Sequence, residues 1–188
     1  RVWGGAVPSD DAERTFAGYA TRRGINAELK AGIAREAAAM VQDGDAIMMD
    51  ASSTVFAMAA FLQDKRNLTV VTNGIDVGRE MARNPANIVV LLGGILRTDG
   101  TAVTRPLSEG SLHDLHIRTA FMSASGFTPA AGLTEEDFHE AQFKRAMVNS
   151  ANKLIALVDS SKFGRTELAQ YAPTQRIIYN DRLGERFV

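Results

Sequence analysis

Short apolar runs alternate with segments whose apolar residues recur at helical spacing, and this alternation organises nearly the whole chain. Ala46–Met49, Thr69–Thr72, Ile88–Leu92, Thr119–Ser123, Lys153–Val158 and Arg176–Tyr179 are the predicted strands. Near-continuous apolar runs of this length predict parallel strands buried on both faces of a sheet. From about Asn26 to Gln42 the pattern changes: Ile33, Ala34, Ala37, Ala38 and Val41 fall on one helical stripe, while Lys30, Arg35 and Glu36 fall elsewhere. Further helices are predicted from Ser53 to Leu62, from Gly74 to Arg83, and from Thr134 to about Asn152. Asn84-Pro85 ends the second of these, because proline disfavours helical geometry in the residue before it. Thr134 and Asp137 read as a near capping box opening the last one, with Glu135, Glu136 and Asp137 favouring its positive dipole end. The expected fold is α/β, a mainly parallel sheet flanked by helices, with right-handed crossovers.

Less regular stretches separate these elements. Residues Arg1 to Gly18 form an irregular lead-in, apart from a short strand at Arg1–Trp3. Gly93 to Arg105 is a polar excursion in which Asp99-Gly100 turns between two short antiparallel strands. Pro106 suits the first turn of a helix reaching about Leu115, where a missing amide costs nothing. Ala124–Pro129 reads as a loop, and Arg165–Pro173 as a connection between the last two strands. Without repeats or linkers, a single domain is the economical reading.

The polar turns that end the strands carry the candidate chemistry. Open parallel sheets bind ligands outside the carboxyl ends of their strands. Asp50-Ala51-Ser52-Ser53-Thr54 places hydroxyls where a helix begins, and Thr72, Asn73, Gly93, Gly94, Ser123 and Asp159 mark other strand ends. Such donors suit a phosphate or a polyol, although Ser53 or Thr54 capping the helix explains the same pattern. A carboxylate at Asp50 would repel phosphate, so it is assigned to sugar hydroxyls. Glu140 and Lys144 stand four residues apart, the spacing of an ordinary solvated pair, yet their helix follows a strand-end loop. Lys162, in Asp159-Ser160-Ser161-Lys162, is a natural charge partner for a phosphate. The strand-end loops are expected to converge on one electropositive cradle.

Composition narrows the choice. The 188 residues carry 21 basic and 22 acidic side chains, a net charge of −1, which gives no overall reason to seek nucleic acid. Cysteine is absent, which removes thiol catalysis, disulfides and thiolate metal sites. His113, His116 and His139 lack a metal-ligand spacing, and no nucleophile elbow or Walker loop occurs, so neither cofactor nor metal is expected. No apolar run approaches the roughly 20 residues of a membrane span, and a cytoplasmic protein is expected. A start at Arg1 without Met reads as a fragment lacking an N-terminal portion.

Taken in order, Arg1–Ala6, Arg23, Asn26 and Lys30, Asp50–Thr54, Val71-Thr72-Asn73, Leu92-Gly93-Gly94, Gly132-Leu133-Thr134, Glu140-Ala141 with Lys144-Arg145-Ala146, and Asp159–Gly164 resemble the C-terminal effector domain of DeoR-family transcriptional regulators. The resemblance implies a fold similar to ribose-5-phosphate isomerase, glucosamine-6-phosphate deaminase and the CoA transferases, used for sensing and not for turnover. It divides the chain into a lead-in at residues 1–20, following a missing helix-turn-helix domain, and an effector-binding domain at 21–188. It implies a repressor of carbohydrate genes, a phosphorylated sugar as effector, operator DNA as partner through the missing domain, and a homodimer or homotetramer. Two positions depart from the family, Ser52 and Arg105, which stand where Gly is common: the Ser52 hydroxyl would enter the binding turn or tighten it, and the Arg105 guanidinium would claim the phosphate or plug the site. Fold alone does not decide function, so a sugar-phosphate isomerase or deaminase on the same fold, and an assembly domain with an empty pocket, stand as alternatives.

Overall fold

A computed structural model describes residues 18–106, 112 and 114–178. Tyr19–Gly24 (α1) and Ala27–Ala38 (α2) precede β1 (Ala46–Met49), α3 (Ser53–Ala59, extended by a 3₁₀ turn at Ala60–Leu62), β2 (Thr69–Thr72), α4 (Ile75–Met81) and β3 (Ile88–Leu91). A hairpin of β4 (Gly94–Leu96) and β5 (Val103–Pro106) leads on to β6 (Ile117–Met122), β7 (Gly126–Thr128) and β8 (Gly132–Glu135). The chain then runs through α5 (Phe138–Asn149), β9 (Ala151–Ala156), β10 (Ala169–Ala172) and β11 (Ile177–Ile178).

Six strands form one parallel sheet in the order β11-β9-β6-β1-β2-β3. Chain order runs outward from β1 through β2 to β3, then crosses back to place β6 on the other side of β1. Strands β1 and β6 therefore flank a topological switch point, where the connections leaving adjacent strands diverge and a crevice opens. Alternation along β1 supplies both cores: Ile47 and Met49 pack with Val55, Met58 and Val77 of α3 and α4, whereas Met48 packs with Phe143 and Met147 of α5. A three-stranded antiparallel sheet, β10-β8-β7, packs against α5, and the β4–β5 hairpin meets the same helix through β5.

Several expectations require correction. Strand β3 is apolar yet lies at the sheet edge, with Ile88 64% exposed, because it has one neighbour and only Val89 packs inward. Thr134 does not open a helix. It lies in β8, where its hydroxyl donates to the Gly126 carbonyl at 3.1 Å and accepts from the Glu167 amide at 2.9 Å. Asp137 caps α5 instead, accepting from the Glu140 amide at 2.8 Å, and the helix stops at Asn149. Pro106 ends β5 and is not a first-turn residue; most of the helix expected after it lies outside the described residues. The strand expected at Arg1–Trp3 also lies outside them, as does Tyr179. The predicted Asp99-Gly100 turn does join two antiparallel strands, and Gly100 takes a positive φ of 71° there.

The β7–β8 turn depends on Gly132. Its φ is +67°, and a Cβ there would stand 2.2 Å from the Ala172 carbonyl oxygen. Gly132→Ala is expected to lose at least ~2 kcal/mol of stability, the left-handed penalty plus displacement of β10. Urea unfolding measures it, and a change within the roughly 0.5 kcal/mol of ordinary surface substitutions would contradict this close approach.

Candidate functional site

The chain's ends of β1 and β6 meet around a buried carboxylate. Asp50 follows β1 and is fully buried; its Oδ1 accepts from the Ser52 amide at 3.0 Å and its Oδ2 from the Ser123 amide at 2.9 Å. Lys144 reaches in from α5, the helix whose apolar face seats it on the sheet. Its Nζ lies 3.0 Å from Asp50, 2.5 Å from Glu135 and 3.6 Å from Glu140, and it donates to the Ser123 carbonyl at 3.0 Å. Tyr171 donates to that same carbonyl at 2.7 Å.

Burial by itself lowers the pKa of an ammonium, but the carboxylates of Asp50, Glu135 and Glu140 outweigh it and hold Lys144 well above its ordinary value. Burial pushes Glu135 in the opposite sense, up to about 7, with Glu140 adding to the rise while Lys144 and Ser125 resist it. Burial likewise drives Tyr171 well above the usual phenol range.

Above this cluster opens a cavity of about 270 Å³, slightly under the span of drug-sized sites and suited to a small polar metabolite. Its two ends differ in charge. At one end, Arg22, Lys30, Lys162 and Arg165 face Asp159 and Glu136. Asn26 Nδ2 donates to Asp159 at 3.2 Å, Ser161 donates to the same oxygen through its amide and hydroxyl, and Lys30 donates to the Arg22 carbonyl. Burial lowers the Lys30 pKa, Lys162 and Arg22 add to the fall, and Asp159 opposes it. Glu136 is raised by burial and by Glu167, against the pull of Lys162, Arg22 and Arg165. A phosphate seated among these cations would relieve their mutual repulsion.

The other end is acidic. Glu135 and Glu140 gather there around Lys144, with Asp50 beneath and Arg97 and Asp99 from the β4–β5 hairpin beside them. Arg97 pairs with Asp99 at 2.9 Å and with Glu140 at 3.5 Å. Burial raises Asp99, but its bonds from Arg97 and Thr101 prevail and hold it at about 2. The first turn of α3 also lines the cavity, through Ser52, Ser53 and Thr54. Ser52, not its neighbours, caps this helix, accepting from the Val55 amide at 3.2 Å.

Eight of the residues singled out from sequence therefore line the cavity: Ser52, Ser53, Thr54, Ser123, Glu140, Lys144, Asp159 and Lys162. Asp50 lies beneath its floor, its oxygens already engaged. Thr72 and Asn73 are buried away from it: Thr72 accepts from the Gly74 amide at 3.0 Å and Asn73 donates to the Val103 carbonyl at 2.9 Å, fastening the hairpin to β2. Gly93 and Gly94 sit at the hairpin's start, and the Arg105 backbone pairs with Ile95 while its side chain lies outside the described residues. A uniformly electropositive cradle is not what forms, because the wall carries six cations and five carboxylates.

Sequence reasoning had not assigned Arg22, Arg97, Glu135 or Arg165 to a site. Arg22 stands on α1, a helix the pattern did not predict; Glu135 read as a helix-dipole residue; and Arg97 sits in a hairpin that was predicted without a facing partner. Lys30 fell on the polar side of its helix, and only its place in the family-like order of motifs marked it.

Among the described residues no helix is long and apolar enough to cross a membrane, and no group of His, Cys, Asp or Glu is arranged to hold a metal ion. Residues 25–179 match the family model described as the DeoR C-terminal sensor domain. The transcriptional regulator GolR of Listeria innocua is 37% identical over 177 residues, covering 94% of this chain and 69% of its own length. An L-fucose operon activator of Haemophilus influenzae is 34% identical over 97% of this chain and 73% of itself, and the glycerol-3-phosphate regulon repressor of Escherichia coli is 26% identical over 95% and 70%. Among solved structures, ribose 5-phosphate isomerase A of Neisseria gonorrhoeae superposes with a TM-score of 0.54 at 16% identity, over 76% of this chain and 55% of that one, a likeness of fold alone. Sheet order, switch-point cavity and sequence likeness agree, and the chain belongs to the DeoR C-terminal sensor domain family.

Proposed function

We propose that the cavity at the β1–β6 switch point is the effector site of a bacterial transcription regulator, and that its effector is a phosphorylated sugar. The observation that carries this reading is the grouping of charge along the cavity wall: Arg22, Lys30, Lys162 and Arg165 outnumber Asp159 and Glu136 in one group, whereas Lys144 and Arg97 are each already paired with carboxylates in the other. A phosphate suits the first, where Lys30, Arg22, Lys162 and Arg165 supply donors and charge. Sugar hydroxyls suit the second, where Glu140 accepts and Arg97 donates. Ser53 and Thr54 face the middle of such a ligand. Asp50 acts one layer below, holding Lys144 and the Ser123 amide in place.

Operator DNA is the partner of a helix-turn-helix portion outside this chain, in keeping with the relatives' naming as transcriptional regulators and repressors. Effector occupancy, by drawing α1 and α2 toward the sheet ends, shifts how homo-oligomeric copies present that portion. Couplings of about 1–3 kcal/mol suffice for 5–150-fold changes in affinity. The cytoplasm is the compartment where such a regulator meets both DNA and sugar phosphates. The site is read as a sensor and not a catalyst because the relatives regulate transcription.

Three measurements test the site and its supports. Ligand at about 100 times its dissociation constant adds about 2.7 kcal/mol, so a thermal-shift panel of pentose and hexose phosphates should raise the melting temperature, and Lys30→Ala with Lys162→Ala should abolish the rise. No response to any phosphorylated sugar would remove the effector reading. Lys144→Met strips the charge that compensates buried Asp50 and Glu135 and is expected to cost about 3–5 kcal/mol in urea unfolding. A cost under about 1 kcal/mol would show those carboxylates are not held as ions by Lys144. Glu135 binds its proton more tightly in the folded state than unfolded, so folding stability should fall as pH climbs from about 5 through about 7. Glu135→Gln should flatten that slope, and an unchanged slope would refute the upward displacement.

A further inference from the structure

The β4–β5 hairpin bears on what distinguishes one phosphorylated ligand from another. Glu140 stands apart from the other carboxylates around Lys144. Its side chain is 22% exposed, against 5% for Glu135 and 0% for Asp50, and its bond to Lys144 is the longest of the three at 3.6 Å. It is the carboxylate of that cluster with freedom to meet a ligand. Its second oxygen lies 3.5 Å from the Arg97 guanidinium, which is itself 21% exposed and lines the cavity.

Arg97 is held in advance. Nε and Nη2 form a fork on Asp99, at 2.9 Å each, and Nη2 donates to the Thr101 hydroxyl at 2.6 Å. The hairpin is in turn tied to the sheet: the Ile75 amide donates to the Thr101 carbonyl at 2.9 Å, the Val103 amide to the Asn73 carbonyl at 2.9 Å, and Gly74 bridges Ala102. Gly74 lies so close to the end of β1 that a Cβ on it would stand 2.9 Å from the Ala51 Cα. Arg97 is therefore a fixed donor carried on a framework that includes the cavity's own floor, and it sits beside the most exposed carboxylate around Lys144. A donor and an acceptor 3.5 Å apart match two neighbouring oxygens of a sugar, one accepting from the guanidinium and one donating to the carboxylate.

We propose that Arg97 is a specificity-determining residue, which with Glu140 reads adjacent oxygens on the sugar end of the effector, away from the phosphate. This deepens the effector-site reading and rests on it. A site built to hydrogen-bond hydroxyls rejects ligands that lack them, because its own polar groups are then left unpaired. On this assignment inorganic phosphate engages the cations of Arg22, Lys30, Lys162 and Arg165 and not Arg97, so the two classes of probe report on the two groups separately.

The test is isothermal titration of the wild-type chain, Arg97→Ala and Arg97→Lys with inorganic phosphate, ribose 5-phosphate, glucose 6-phosphate and fructose 6-phosphate, with melting temperatures confirming that each variant folds. In the wild type at least one sugar phosphate is expected to bind more tightly than inorganic phosphate. Both substitutions should cut that preference at least tenfold while leaving inorganic phosphate affinity unchanged; Lys keeps the charge but cannot span Asp99 and Glu140 together. If the variants weaken both classes in parallel, or neither, Arg97 does not set specificity and the effector site stands without it. A wild type that holds inorganic phosphate but no sugar phosphate more tightly also overturns the assignment, and one that binds neither class overturns the effector reading with it.

Discussion

The Lys144 ammonium is the constraint on which the architecture around the cavity rests. An isolated charge at such a depth is costly, and its carboxylate partners arrive from three parts of the chain: Asp50 from the end of β1, Glu135 from β8 and Glu140 from its own helix. Its bond to the Ser123 carbonyl adds the end of β6. A single buried cation thus ties together the two strands flanking the switch point, the small antiparallel sheet and α5. Replacing any partner leaves charge uncompensated, so the elements are held in one arrangement and not merely packed.

That arrangement places the cavity at a seam. The hydrophobic cores lie on opposite faces of the sheet, one beneath α2 to α4 and one beneath α5, and they meet only through β1 and its neighbours. The cavity opens where both helical layers end. One wall comes from α1 and α2, the other from β8, α5 and the hairpin, so a ligand filling it touches elements belonging to both layers. An α/β sensor needs such a place, since a ligand shifts an equilibrium only through contacts that differ between states.

The sheet was legible because its signal is local. Strand β1 falls on the predicted residues Ala46–Met49, and β2 on Thr69–Thr72, since unbroken apolar runs bounded by polar turns specify buried strands with little help from elsewhere. The turns after β1 and β6 were legible for the same reason, and so was the hairpin at Asp99-Gly100. Strands β7, β8 and β10 were not. Their stabilisation comes from pairing across long separations, as between Ala172 and Leu133, and Gly-Leu-Thr-Glu has neither a long apolar run nor a clear alternation. Thr134 and Asp137 have the spacing of a helix cap, and only the pairing of β8 with both its neighbours decides that Thr134 serves the sheet.

Residue by residue, the sequence by itself determined the strands of the parallel sheet, their polar ends and the types of donor gathered there, because burial pattern and turn chemistry act between neighbours in the chain. Tertiary structure alone decided which charges face one another. Lys144 and Glu140 have the spacing of an ordinary solvated pair, yet Asp50, 94 positions before Lys144, draws that ammonium inside. Arg97 and Glu140 meet only because β2 anchors the hairpin across the end of α5. Charge interactions depend on distance through space and on the depth at which they occur, and neither quantity is written in spacing along the chain.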